Sequence, residues 1–203
     1  MSVLRNFFRS SANRFRNRNY GCRIYANPNT VTHDSYFPTE NLYWLESRFF
    51  WRGDWDRPAA SILERPDVQF TISRFVGGAT WEETGSFEHM RNFIVRNGSF
   101  DGWSADQTSI ETRHQALDQI WADLQAEGRL KTRAELDPNA EGEVGGILVF
   151  LGREGQLYFG GAGQHRLTMA QLLNFDEIPL WLGGVHWSLK ARWRELVAFE
   201  PSW

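Results

Sequence analysis

Apolar residues recur at helical spacing between residues 108 and 128, the most regular pattern in the chain. They lie at positions i, i+3, i+4 and i+7: Leu117, Ile120, Trp121 and Leu124. This spacing places them on one face of an amphipathic helix. A capping box at Thr108–Glu111 predicts where the helix begins, and Gly128 predicts where it ends. We expect the apolar face to be core, and His114, near the helix start, to be exposed.

The second half of the chain then alternates short apolar runs with glycine-rich turns. The runs Gly146–Leu151 and Gln156–Phe159 are separated by a turn bounded by glycines, which predicts a β-hairpin. After the hairpin we predict a helix at 167–173 and a short edge strand at 177–182. A loop at 183–187 and a final helix at 187–197 follow.

The first half is less regular. Gln69–Val76 is rich in β-forming residues and stops at two glycines, which predicts a strand or another short element that ends there. Thr80–Glu83 is another capping box that predicts a helix start. Because capping already explains Glu83, we regard Glu82 and Glu83 as weak candidates for a functional site.

Together these elements predict an α+β fold, with a small mixed sheet flanked by helices and an aromatic-rich N-terminal elaboration. At 203 residues the chain is long enough for one domain with a real core. We place that domain at residues 24–203, with its core at 108–200 and a basic extension at 1–23.

The junction after the hairpin is the strongest candidate for chemistry. Gly160–Gly163 precede His165 and Arg166 at the start of the predicted helix. Glycines let the backbone approach a ligand closely, and a helix start offers unpaired N–H groups to an anion. The alternative is a glycine-rich turn whose histidine and arginine are merely solvated.

Composition narrows the range of functions. The single cysteine, Cys22, excludes a disulfide framework and any multi-cysteine metal site, and a reducing, cytoplasmic location fits it best. No apolar run is long enough to span a membrane. Residues 1–33 hold six of the 22 basic residues and no acid, so residues 34–203 hold 16 basic and 25 acidic residues. This acidic body argues against a broad nucleic-acid-binding face.

The arginine-rich segment 1–23 has several possible roles. It could be a nucleic-acid-binding arm, a membrane-surface segment or a targeting sequence. It could equally be an extension whose arginines pair with the acidic body, which is the interpretation we favour.

The loop Arg52–Pro58 places two carboxylates on either side of a tryptophan. Asp54 and Asp56 could hold a metal ion or accept a proton. They could also cap the next helix or pair with neighbouring arginines. His186 follows the predicted edge strand and could approach the glycine turn, although a histidine satisfied by a backbone carbonyl is as good an interpretation.

One stretch resembles a known family. A hairpin, the motif Gly163-Gln164-His165-Arg166 at a helix start, a hydrophobic helix and a strand opening with Ile178-Pro179 are similar to the ParB/sulfiredoxin superfamily. With the helix of residues 109–127, the resemblance covers about the last 100 residues. The Gly-Asp-Trp-Asp loop resembles poorly characterised members of that superfamily.

The resemblance implies a site for nucleotide phosphate, of ATP or CTP. Gly161 and Gly163 would give the backbone room, and Gln164, His165, Arg166 and Thr168 would contact the phosphates. Sulfiredoxins have their reactive cysteine where this chain has Gln164, so sulfinic-acid reduction is not expected. The related kinases often have an acidic residue where this chain has Ala162. Partition proteins continue into a DNA-binding domain, whereas this sequence stops at Trp203, so we expect no operator recognition.

The leading hypothesis is therefore a nucleotide-dependent enzyme that transfers a phosphoryl group to a small molecule. Such transfer needs positioned phosphates, a divalent cation such as Mg²⁺ and a carboxylate near the acceptor. Asp54 and Asp56, with His165, are the catalytic candidates, provided that the first half folds over the glycine turn. The alternatives are a nucleotide-sensing module without catalysis, and a ParB-like nuclease or nucleic-acid-binding protein.

Overall fold

The structure, a computed structural model, describes residues 22–35, 49–57, 60–98, 100, 102–140 and 142–200. Within these ranges the chain forms an α+β fold. Its strands are β1 Cys22–Ala26, β2 His33–Asp34, β3 Phe50–Trp51, β4 Leu148–Leu151, β5 Leu157–Phe159, β6 Ile178–His186 and β7 Ala198–Glu200. Its helices are α1 Pro66–Phe75, α2 Ser86–Asn97, α3 Gln107–Glu127, α4 Arg133–Leu136 and α5 Gln164–Leu172.

The strands form one mixed sheet in the order β2-β5-β4-β6-β1-β7, and β3 pairs with the end of β6. β4 runs parallel to β6 and antiparallel to β5, as predicted for a hairpin. β1 begins at Cys22, so Arg23 belongs to the sheet rather than to the N-terminal extension. The predicted mixed sheet with flanking helices is therefore confirmed.

The core lies where α5 packs on the sheet. Strands β4 and β6 are buried along almost their whole length, and α5 buries Leu167, Met169 and Ala170. Helix α1 packs on α5, and α3 contributes Leu117 and Leu124 to a cluster with Met169. Burial of these apolar side chains provides the main stabilisation of the sheet and of the turn that precedes α5.

The prediction of a strand at Gln69–Val76 is wrong, because this segment lies in α1. Pro66 occupies the first turn, where its fixed φ and missing N–H suit a helix start. Val68 and Thr71, three residues apart, are the buried positions of the helix. A short apolar run is compatible with either a strand or a helix when only neighbouring residues are considered. Packing on α5 selects the helix.

The loop predicted at 183–187 is also wrong, because β6 continues to His186 between two neighbouring strands. Gly183 and Gly184 are required there by packing. A Cβ on Gly183 would lie 2.5 Å from Leu148 Cδ1, and one on Gly184 would lie 2.6 Å from Trp51 Nε1. The two glycines therefore mark a close approach of side chains rather than a turn.

Three further predictions need correction. The final helix at 187–197 is two 3₁₀ turns, Trp187–Leu189 and Trp193–Glu195. The Thr80–Glu83 capping box closes a turn, and α2 begins only at Ser86, after Gly85. His114 is 1 % exposed rather than solvated, since its Nδ1–H donates to the Ile110 carbonyl and its Nε2 accepts from Ser86.

No helix in the described part of the chain is long and apolar enough to cross a membrane. Residues 1–21 of the basic N-terminal extension lie outside the described residues.

Candidate functional site

The glycine turn joins β5 to α5, and its backbone requires glycine at two positions. Gly161 and Gly163 have φ values of 92° and 82°, in the left-handed region that favours glycine. A Cβ on Gly163 would lie 2.8 Å from the Cα of Ile147. The carbonyl of Ala162 accepts from the N–H of Leu148 at 3.1 Å. The turn is therefore packed tightly against the start of β4.

From Gly161 onward, the backbone N–H groups of this turn have no acceptor among the described residues. None of the six consecutive N–H groups from Gly161 to Arg166 donates a hydrogen bond to another described residue. The last three belong to the first turn of α5, where helix geometry leaves amides unpaired and the helix dipole is positive. A row of free amides at a helix start is suited to bind an anion.

Arg166 adds a positive charge to the first turn of α5. Its Nη2 donates to the carbonyl of Gly145 at 2.9 Å. Burial lowers the pKa of Arg166 to about 10, Arg133 adds to the decrease and Glu143 opposes it. Arg166 is therefore still cationic at neutral pH.

One buried carboxylate partly balances these charges. Glu143 is 4 % exposed and accepts from Arg23 Nε at 3.1 Å and from the backbone N–H of Arg133 at 3.2 Å. Burial raises the pKa of Glu143, although Arg23 and Arg166 oppose the increase. Glu143 thus interacts with the side chain of Arg23, with the charge of Arg166 and with the backbone of Arg133.

Arg65, just before α1, makes a further contact with the turn. Its Nε donates to Gln164 Oε1 at 2.7 Å, and its Nη1 donates to the Asp34 carboxylate at 3.0 Å. Gln164 is 7 % exposed, and its Nε2 has no hydrogen-bond partner. A buried donor without an acceptor is rare and calls for a ligand or water nearby. Thr168, one helical turn further on, likewise has a buried hydroxyl without a partner.

His165 is held in one tautomer. Thr71 Oγ1 donates to the carbonyl of Asp67 at 2.7 Å, so it accepts from His165 Nδ1–H at 2.8 Å. This leaves a lone pair on Nε2. Burial lowers the pKa of His165, and the nearby charge of Arg113 adds to the decrease. The neutral imidazole can accept from a hydroxyl through Nε2, and only its protonated form could donate to a phosphate.

Asp54 and Asp56 lie at the opposite end of the hairpin. The side chain of Arg153, in the β4–β5 turn, binds Asp56 Oδ1 at 2.6 Å and Asp54 Oδ1 at 2.7 Å. The glycine turn adjoins the start of β4, and the length of β4, roughly 10 Å, separates the two ends. The structure therefore does not bring this loop over the glycine turn, as the catalytic hypothesis required.

His186 lies with that loop as well. Its Nε2–H donates to the carbonyl of Gly53 at 3.2 Å, and its ring lies 6.0 Å from that of Trp55. The backbone carbonyl partner considered from the sequence is thus present. Glu83 accepts from the N–H and the hydroxyl of Thr80, and both bonds lower its pKa. Glu82 is exposed, and neither glutamate contacts the glycine turn.

The described residues contain no group of three metal-ligating side chains that could hold a metal ion. Between Asp54 and Asp56 the guanidinium of Arg153 occupies the position where a cation would bind. A magnesium site at these two carboxylates remains a prediction from the sequence.

Sequence reasoning missed the partners of the turn. Arg65 and Gln164 are 99 residues apart, and Thr71 and His165 are 94 apart. Arg65 lies four residues before the predicted strand Gln69–Val76, and no local pattern indicates that it packs beside α5. The one available signal was the pair Arg65-Pro66, since proline often occupies the first position of a helix.

Comparison with known proteins returned no matching family model, curated protein or solved structure.

Proposed function

We propose that this chain binds the phosphate groups of a nucleoside triphosphate, ATP or CTP, at the glycine turn. The observation that carries the proposal is the row of six N–H groups, Gly161 to Arg166, for which the described part of the chain provides no acceptor. A polyphosphate supplies acceptor oxygens for several of these donors at once. The resemblance of the turn to the Gly-x-His-Arg motif of the ParB/sulfiredoxin superfamily adds the expectation of a nucleotide and of that fold.

Charge and burial favour the same ligand. Arg166 is cationic and partly buried in the first turn of α5, and hydrogen bonds from a charged donor to phosphate are stronger than neutral ones. The buried Nε2 of Gln164 provides another donor. Arg65 holds the Gln164 side chain through its Oε1, which keeps the Nε2 from rotating away.

Binding is the part of the proposal that the geometry supports best. Phosphoryl transfer to a small molecule additionally needs a carboxylate near the γ-phosphate, and Asp54 and Asp56 lie at the other end of β4. Asp34 is connected to the turn through Arg65, which also binds Gln164, whereas the nearby Glu143 is already bound to Arg23. Asp34 is therefore our candidate for orienting an acceptor, with Mg²⁺ as the expected counter-ion.

Replacing Arg166 by glutamine is expected to weaken ATP or CTP binding by about 10- to 100-fold, because a charge-assisted hydrogen bond to phosphate is lost. Isothermal titration calorimetry with each nucleotide and MgCl₂ measures this change. Inorganic tripolyphosphate, tested in parallel, separates phosphate recognition from base recognition.

Arg96→Gln is the matched control, because Arg96 is exposed in the last turn of α2, away from the turn. It should bind nucleotide as the native chain does. The proposal is wrong if neither nucleotide binds the native chain, or if Arg166→Gln, shown by circular dichroism to be folded, binds equally well. Release of ADP or CDP on addition of an acceptor, lost in Asp34→Asn, would support transfer.

A further inference from the structure

A second candidate site lies at the opposite end of the sheet from the glycine turn. β6 ends at His186 and leads into the 3₁₀ turn Trp187–Leu189. Trp187 is 40 % exposed. The Arg52 guanidinium lies 4.3 Å from the centroid of its ring, and the Lys190 ammonium lies 4.7 Å from it. Trp187 belongs to none of the hydrophobic clusters formed by the described residues, so the core does not account for its position.

The charge of this surface is positive. Residues 187–196 contain three basic residues, Lys190, Arg192 and Arg194, and one acidic residue, Glu195. Arg52 adds a fourth cation. Among the described residues, Arg52, Lys190 and Arg192 form no salt bridge, whereas the nearby Asp54 is paired with Arg153. No described acidic side chain therefore neutralises these three cations.

The arginine-rich N-terminal segment joins the fold at the same end. β1 begins at Cys22, which pairs with Leu182 of β6, and Arg194 is close enough to oppose the rise in the pKa of the Cys22 thiol that burial causes. Residues 1–21 contain five arginines and no acidic residue. Among the described residues, the cations of Arg52 and Lys190 lie beside the exposed ring of Trp187.

We propose that this surface, Arg52, Trp187, Lys190 and Arg192, binds single-stranded nucleic acid. Unpaired bases stack on exposed aromatic rings and on guanidinium planes, while cations follow the phosphates. The bases of a duplex are already stacked on each other and are not accessible to Trp187. The site is separate from the glycine turn and does not depend on nucleotide binding there.

The test is fluorescence anisotropy of the full chain with a labelled oligothymidylate or oligouridylate of about 12 nucleotides. Trp187→Ala is expected to weaken binding by about 10-fold or more, because a stacked base is lost. Arg52→Gln/Lys190→Gln should weaken binding and lower the slope of log K against log salt by about 1.4, the value for two lost phosphate contacts on a single strand.

Arg96→Gln, an exposed arginine on α2, is the control and should bind the oligonucleotide unchanged. The proposal is overturned if Trp187→Ala and the double variant both bind as the native chain does, or if Arg96→Gln loses as much affinity. Displacement of the oligonucleotide by ATP would place it at the glycine turn and would also overturn the proposal. Binding to phosphatidylserine vesicles with none to the oligonucleotide would identify a membrane-surface patch instead.

Discussion

Gly163→Ala is expected to lower the free energy of unfolding by about 2–5 kcal/mol. Two costs combine at this position. A φ of 82° is unfavourable for any residue with a Cβ, by roughly 1–2 kcal/mol. The new Cβ would also lie 2.8 Å from Ile147 Cα and 3.0 Å from the Gly146 carbonyl oxygen. Both are backbone atoms of the two residues just before β4, so neither can rotate away.

Gly128→Ala separates these two costs. Gly128 ends α3 with a φ of 68°, and a Cβ there would meet no atom within 4 Å. Its substitution should therefore cost only the conformational term, about 1–2 kcal/mol. Urea unfolding of both variants measures the difference, which we expect to be about 1–3 kcal/mol. Equal losses would show that the turn is not pressed against β4.

Asp56→Asn is expected to destabilise the fold by about 2–4 kcal/mol. The Asp56 side chain is 2 % exposed, and it accepts from Arg153 Nε, from Nη2 and from the backbone N–H. An asparagine would turn an amide N–H₂ toward these donors and remove the charge that balances Arg153. Chemical denaturation at neutral pH measures the loss.

The pH dependence of this variant provides an independent check. Burial alone would raise the pKa of Asp56, but the hydrogen bonds and charge of Arg153 outweigh it, so the pKa is lowered. A carboxylate whose pKa is lowered by folding stabilises the folded state fully at pH values above the ordinary aspartate pKa of about 3.9. This stabilisation is lost as the pH falls through the pKa of the folded state. Asp56→Asn should therefore unfold with a weaker dependence on pH below about pH 5.

Asp54→Asn is the matched control for the same loop. The Asp54 side chain is 78 % exposed although it also contacts Arg153, and exposed ion pairs contribute at most about 1 kcal/mol. Similar losses of stability in the two variants would contradict a structural role specific to Asp56. Loss of nucleotide turnover in Asp56→Asn at unchanged stability would instead restore the catalytic role that the sequence suggested.

Much of the second half could be predicted from the sequence, because its signals are local. The β4–β5 hairpin follows from two apolar runs around glycines, and α3 follows from its helical stripe. The predicted helix 167–173 ends one residue beyond the end of α5 at Leu172. The candidate turn was found for the same reason, since glycine freedom and helix-start geometry depend on neighbours in sequence.

Local sequence patterns could not identify the long-range partners that form contacts at the two ends of the sheet. Asp56 and Arg153 are 97 residues apart, and only the docking of the loop on the hairpin turn makes them a pair. The same docking separated Asp54 and Asp56 from the glycine turn. The pattern of neighbouring residues does not indicate which end of a strand a loop far away in sequence will contact.

The sequence by itself determined the glycine turn, the helix that follows it and the hairpin that precedes it, because each is specified by the conformational preferences of adjacent residues. Only the tertiary structure decided that Gln69–Val76 is helical and that Gly183 and Gly184 lie within β6. In both cases the local preference was weak or misleading, and packing against α5, Leu148 and Trp51 supplied the larger free-energy difference. Tertiary packing likewise placed Arg65 beside the turn and Arg52 against Trp187, and these contacts belong to the two sites proposed for this chain.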